Sequence, residues 1–90
     1  MNNDRRKRIR EAMETLGQIR PLAESLQSAL EEIRDEERES ADTIAENFPD
    51  GERAEKAEQS ADALDTAADS AAEIVAALDE IESNTDTATE

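Results

Sequence analysis

Between Leu16 and Ile33 the large apolar residues Leu16, Ile19, Leu22, Leu26, Leu30 and Ile33 follow one another in steps of three or four. That interval returns side chains to one face of an α-helix. Further along, Ala57, Ala61, Leu64, Ala68, Ala71, Val75 and Leu78 alternate steps of four and three without interruption, a heptad seam built largely from alanine. The pattern predicts two helices, the first over about 3–46 and the second over about 52–83. Asn3 or Asp4 can cap the first. Gly17 and Pro21 interrupt its stripe, and because the stripe resumes at once on a compatible face they predict a kink rather than a stop. Asn47-Phe48-Pro49-Asp50-Gly51 is the strong turn signal: Pro49 pre-sets φ, Asp50 can cap the following helix, and Gly51 tolerates left-handed geometry. The polar, threonine-rich segment 84–90 reads as a disordered acidic tail.

A tight turn over 47–51 makes the helices antiparallel neighbours. Pairing positions that sum to about 97 then sets Ile33 against Leu64, Leu30 against Ala67 or Ala68, Leu26 against Ala71, Leu22 against Val75, Ile19 against Leu78 and Leu16 against Ile81. The expected fold is therefore an all-α antiparallel hairpin, residues 1–83 forming one unit. Its helix–helix seam is Leu16, Ile19, Leu26, Leu30 and Ile33 against Leu64, Ala68, Ala71, Val75 and Leu78. Stripes wider than one partner needs, such as Leu22 with Ala23 and Ile74 with Val75, predict completion as a four-helix bundle by a homodimer.

Composition alone points elsewhere. Leu, Ile, Val and Phe total 14 of 90 residues and the net charge is −15, which together resemble a disordered chain. Sixteen alanines, with many Glu and Arg, shift the balance to helix. The charge is uneven: residues 1–20 carry +3, residues 21–56 carry −8 and residues 57–90 carry −10. An antiparallel hairpin would set Arg5, Arg6, Lys7, Arg8 and Arg10 beside Asp79, Glu80, Glu82 and Asp86.

The basic opening NNDRRKRI, the central ENFPDGERAEKAEQS and the second-helix run ADALDTAADSAAEIVAALDEI resemble small acidic helical hairpin proteins encoded in phage and prophage genomes. The resemblance spans nearly the whole chain, and Pro21 departs from the uninterrupted first helix expected there. It implies a mobile-element origin and an established activity for none of its residues.

The residue types exclude much chemistry. There is no Cys, His, Trp or Tyr, which removes thiol nucleophiles, imidazole bases, zinc fingers, disulfides and aromatic stacking platforms. Six serines have no histidine partner for a triad. A general acid needs a buried carboxylate with a raised pKa, and the one acid at a seam position, Glu37, reads as a half-exposed partner of Arg34 or Arg38. No phosphate-cradling glycine loop, Glu-x-x-His pair or EF-hand loop is present. No enzyme, cofactor or specific metal site is expected. No apolar run follows the basic N-terminus and none approaches a membrane span, so the expected location is cytoplasmic, without membrane contact.

Net negative charge disfavours nucleic acid as a direct ligand, although Arg5, Arg6, Lys7, Arg8 and Arg10 could contact a phosphate or nucleotide. Glu58, Asp62, Asp65, Asp69 and Glu73 recur at steps of four, three, four and four along the second helix. Neighbouring members lie about 5–6 Å apart, near the spacing of successive phosphates on a nucleic-acid strand. Glu31, Glu32, Asp35 and Glu36 add a second anionic block. One reading is a solvated face that keeps an alanine-rich helix in solution. The other is charge mimicry, in which a rod of carboxylates occupies the basic surface of a nucleic-acid-binding or defence protein of the host. A self-assembling structural module and a small-ligand binder using the basic N-terminus are the alternative functions.

Overall fold

The computed structural model describes residues 1–48 and 51–90. Two helices account for almost all of them: α1, Asn3–Asn47, and α2, Glu52–Thr89. They pack side by side as an all-α antiparallel hairpin, a rod with principal extents of 66 × 16 × 14 Å. The roles assigned to Pro49 and Asp50 in the turn lie outside the described residues.

α1 starts one residue before the expected caps: the Asn2 side chain accepts a hydrogen bond from the Arg5 amide at 2.8 Å, satisfying one of the free donors of the first turn. The helix runs unbroken through Pro21. At its end the Phe48 amide bonds back to the Ile44 carbonyl. Gly51 is extended, with φ −87° and ψ 147°, and stands at the cap position of α2; its tolerance of left-handed geometry is unused. The expected tail is helical. α2 continues through Asn84–Thr89, where the Thr85, Thr87 and Thr89 hydroxyls donate to carbonyls three or four residues back. The hydroxyl oxygen of half-buried Thr85 also lies against the Met13 sulfur of α1, at 3.2 Å. Contact with α1, absent from any local reading of the segment, holds it.

The seam of α2 contains Ala54, Ala57, Ala61, Ala68, Ala71 and Leu78 as buried residues, with Leu64 and Val75 half-buried. The seam of α1 differs from the expected one. It runs through Arg6, Ile9, Met13, Leu16, Arg20, Ala23, Gln27, Leu30, Arg34, Glu37, Ala41 and Ile44, all buried or half-buried in an unbroken alternation of three and four, with half-buried Glu31 and Arg38 at its edge. Leu16 and Leu30 belong to it. Ile19, Leu26 and Ile33 do not: they are exposed, as is Leu22, so they do not meet Leu78, Ala71, Leu64 and Val75. The true seam lies one residue later in the chain.

A physical reason for this choice lies across the interface. Alanines on α2 leave shallow space that long Arg and Gln stems can fill while their polar heads reach water. Arg20 and Arg34 sit at seam positions and extend their guanidinium groups past α2 to Asp79 and Glu82, and to Asp65. Seating Ile19, Leu26 and Ile33 inward would turn both arginines away from those carboxylates. The apolar packing forms two small clusters instead of one core. Leu16, Ala23 and Leu78 gather with Met13 and Val75 toward the chain termini. Ala41, Ala57 and Ala61 gather with Ile44 toward the turn.

Candidate interaction surfaces

The hairpin has two long sides of opposite character. On the first, Arg38 of α1 donates to Asp62 at 2.9 Å and to Asp65 at 2.6 Å, and Arg34 approaches Asp65 at 3.6 Å. Helical steps of three and four carry this side along α1 through Glu31, Asp35, Arg38 and Asp42, and along α2 through Glu55, Glu58, Asp62, Asp65 and Asp69. Arg38, Asp42, Glu55 and Glu58 border one shallow groove of about 390 Å³ near the turn, which places both helices' acids on a common side. Of the eight carboxylates named there, Asp35, Asp62 and Asp65 pair with the guanidiniums of Arg34 and Arg38, the Arg34–Asp35 pair at 3.0 Å. The hydrogen bonds that Arg38 donates to Asp62 and then to Asp65 raise its guanidinium above its ordinary range, and the bond that Arg20 donates to Asp79 does the same for Arg20.

The candidate acids thus divide. Glu31, Asp35, Glu58, Asp62, Asp65 and Asp69 share the anionic side. Glu73 carries the α2 stripe round toward the back of its helix. Glu32 points further outward on α1, and Glu36 belongs to the opposite side of the hairpin. Asp62 and Asp65, central members of the stripe, are engaged by arginine, whereas Glu58, Asp69 and Glu73 are exposed and make no ion pair among the described residues. Glu37 is half-buried at the seam, but Arg34 and Arg38 turn to aspartates instead of to it.

The N-terminal basic cluster does not do what its charge suggests. Among the described residues, Arg20 alone takes Asp79 and Glu82; Arg5, Arg6, Lys7, Arg8 and Arg10 form no ion pair. Arg20 wins because its seam position points the guanidinium across the interface at the level of those acids. Arg6 is half-buried and its Nε finds no hydrogen-bond partner. It borders a groove of about 570 Å³ at the open end, with Arg10, Glu14 and Asp86 also lining it. Two carboxylates beside two guanidiniums make a mixed field, a poor match for a phosphate.

The second long side is apolar. Leu22 is 72% exposed, and Ile19, Leu26, Ile33, Ile74 and Ile81 lie between 43% and 48%. These residues sit one position before the seam on each helix, so each stripe is turned by about 100° from its seam. Because the helices are antiparallel, that same displacement turns both stripes to one side of the hairpin. Periodicity gave a single apolar stripe on α1, and its members Ile19, Leu22, Leu26 and Ile33 face away from α2. The seam arginines opposite Asp65, Asp79 and Glu82 were the available signal.

No group of acidic residues among those described is arranged to hold a metal ion, and no described helix is long and apolar enough to cross a membrane. Comparison with protein-family models, curated proteins and solved structures found no match to this chain.

Proposed function

We propose that this protein is a non-enzymatic interaction module of mobile-element origin that docks its anionic side onto a basic surface of a host nucleic-acid-binding or defence protein. The observation that supports this reading is the placement of charge. Glu31, Asp35, Asp42, Glu55, Glu58, Asp62, Asp65 and Asp69 share one side of a 66 Å rod, while the uncharged stripe occupies the other. A rigid line of carboxylates at helical spacing offers a cationic groove what a phosphate backbone offers, already ordered, so little conformational entropy is lost on docking. Long-range attraction would raise the association rate and make it sensitive to salt. The mobile-element origin rests on the sequence resemblance alone.

Arg38 tunes the side. It engages Asp62 and Asp65, whereas Glu58, Asp69 and Glu73 are the acids of the α2 stripe with no cation of their own to give up, so these are the residues to test. Glu58→Gln, Asp69→Asn and Glu73→Gln together preserve shape and remove three charges. The variant should keep the parent's helicity and bind the captured partner at least tenfold more weakly, mainly through a slower association rate, and nucleic acid should displace the parent from that partner. Equal binding by parent and variant, undisturbed by competing nucleic acid, would contradict the proposal.

A further inference from the structure

The exposed apolar side has a pattern of its own, separate from the anionic docking side. On α1 it comprises Ala12, Thr15, Ile19, Leu22, Leu26, Ala29 and Ile33; on α2 it runs from Ala63 through Ala67, Ser70, Ile74, Ala77 and Ile81 to Asn84 and Ala88. No charged residue occurs at any of these positions, in a chain of which 39% is charged. From this placement we infer that the side is the interface for a second copy of this chain, which docks antiparallel to the first and closes a four-helix bundle.

Three observations point to a second hairpin as the occupant. The first is angular. A stripe displaced by one residue from the seam is rotated about 100° from it, close to the right angle between the two neighbours of each helix in a square four-helix array. A single added helix, forming a triangle, would need stripes about 60° apart.

The second is register. The hairpin contacts pair positions that sum to about 100, as in Arg20 with Asp79 and Arg34 with Asp65, so Leu22 lies level with Ala77. A two-fold axis across the rod at that level sets Leu22 against Leu22 of the second copy, and Ile19 against its Leu26. On α2 the same axis brings Ala77 to Ala77 and Ile74 to Ile81. Continuing outward, Arg8 arrives opposite Glu36 and Arg5 opposite Glu39. The basic N-terminus, unpaired within the hairpin, thereby finds carboxylates just where the uncharged stripe ends. The alternative two-fold, along the rod, would instead set the two strongly negative turn halves side by side.

The third is area. The stripe spans about 32 Å along α1 at 1.5 Å per residue and about 20 Å across two helices. Roughly 600 Å² per copy, or about 1,200 Å² in all, reaches the lower range of specific interfaces. The anionic sides face outward in this arrangement, so a dimer would carry two of them.

The full-length chain contains no cysteine, so single introduced cysteines report cleanly. Leu22→Cys and, separately, Ala77→Cys should each give a covalent dimer under mild oxidation, and Asp69→Cys on the anionic side should not. Sedimentation of the parent at about 100 μM should show a dimer. Leu26→Lys with Ile74→Lys should return it to monomer, and because both positions are exposed in the hairpin, circular dichroism should still show the helices. A parent that sediments as a monomer, or a helical Leu22→Cys variant that oxidises no faster than Asp69→Cys, would overturn the proposal. So would disulfides that form only when Leu22→Cys and Ala77→Cys chains are mixed, the signature of the parallel arrangement.

Discussion

Leu78→Ala is the most demanding test of the seam. Leu78 is the one large apolar side chain of α2 that is buried, and it packs with Leu16, Ala23, Met13 and Val75. The substitution removes three carbons, which at about 0.8 kcal/mol each comes to about 2.4 kcal/mol of lost burial. Incomplete collapse of the space adds to this, giving a total of about 2–4 kcal/mol. Elsewhere along the seam the α2 alanines face Ala41, Leu30, Ile44 and the stems of Arg20, Gln27, Arg34 and Glu37, and a small apolar core of this kind rarely supplies more than about 3–5 kcal/mol in all. The variant should therefore lose most of its cooperative thermal transition by circular dichroism, at every protein concentration. Ile81→Ala removes a comparable amount of side chain from a residue that is exposed in the hairpin. Its effect should be small in dilute solution and grow only where copies associate. If Ile81→Ala destabilises the dilute protein as much as Leu78→Ala, the assignment of the seam is wrong, and Ile19 with Ile81 lies inside it.

Pro21→Ala should raise the midpoint of thermal unfolding, because a proline inside a helix removes one amide donor and crowds the preceding turn at a cost of about 3 kcal/mol; an unchanged midpoint would show that α1 accommodates Pro21 without that cost. Gln27→Leu should stabilise the hairpin by about 1 kcal/mol in urea titration: Gln27 is half-buried at a seam position and its amide bonds only along its own helix, to Glu31 at 2.9 Å, so exchanging it for an apolar side chain adds burial. Arg38→Gln should change stability by less than about 1 kcal/mol, since the pairs it makes are exposed, while binding to a cationic partner strengthens as Asp62 and Asp65 are released; weaker binding would show that the arginine itself contacts the partner.

Much of the fold was legible from local pattern. The seam of α2 reads directly because its small and large apolar residues keep one alternation, and the antiparallel arrangement follows from the single turn signal. α1 was harder for a definite reason. Two stripes one residue apart both satisfy helical periodicity, and the larger side chains, Ile19, Leu22, Leu26 and Ile33, favour the wrong one when size alone decides. What settles the choice is complementarity across the interface: alanines on α2 accommodate Arg20, Gln27 and Arg34, whose heads reach carboxylates on the partner helix. The same tertiary information explains the helical segment Asn84–Thr89, since Thr85 is tied to Met13, a residue distant in the chain. The acidic stripe was visible as spacing, but its partial engagement by Arg38 depends on the register of the two helices.

The claim that matters most for function is electrostatic, and the salt dependence of partner binding tests it most directly. With the partner captured from host lysate and purified, its dissociation constant would be measured between about 50 and 200 mM salt for the parent and for the variant combining Glu58→Gln, Asp69→Asn and Glu73→Gln. The account predicts that the parent complex weakens by an order of magnitude or more across that range, as phosphate contacts do, and that the variant shows a visibly shallower dependence. A complex whose affinity is the same at both ends of the range, in parent and variant alike, would contradict it.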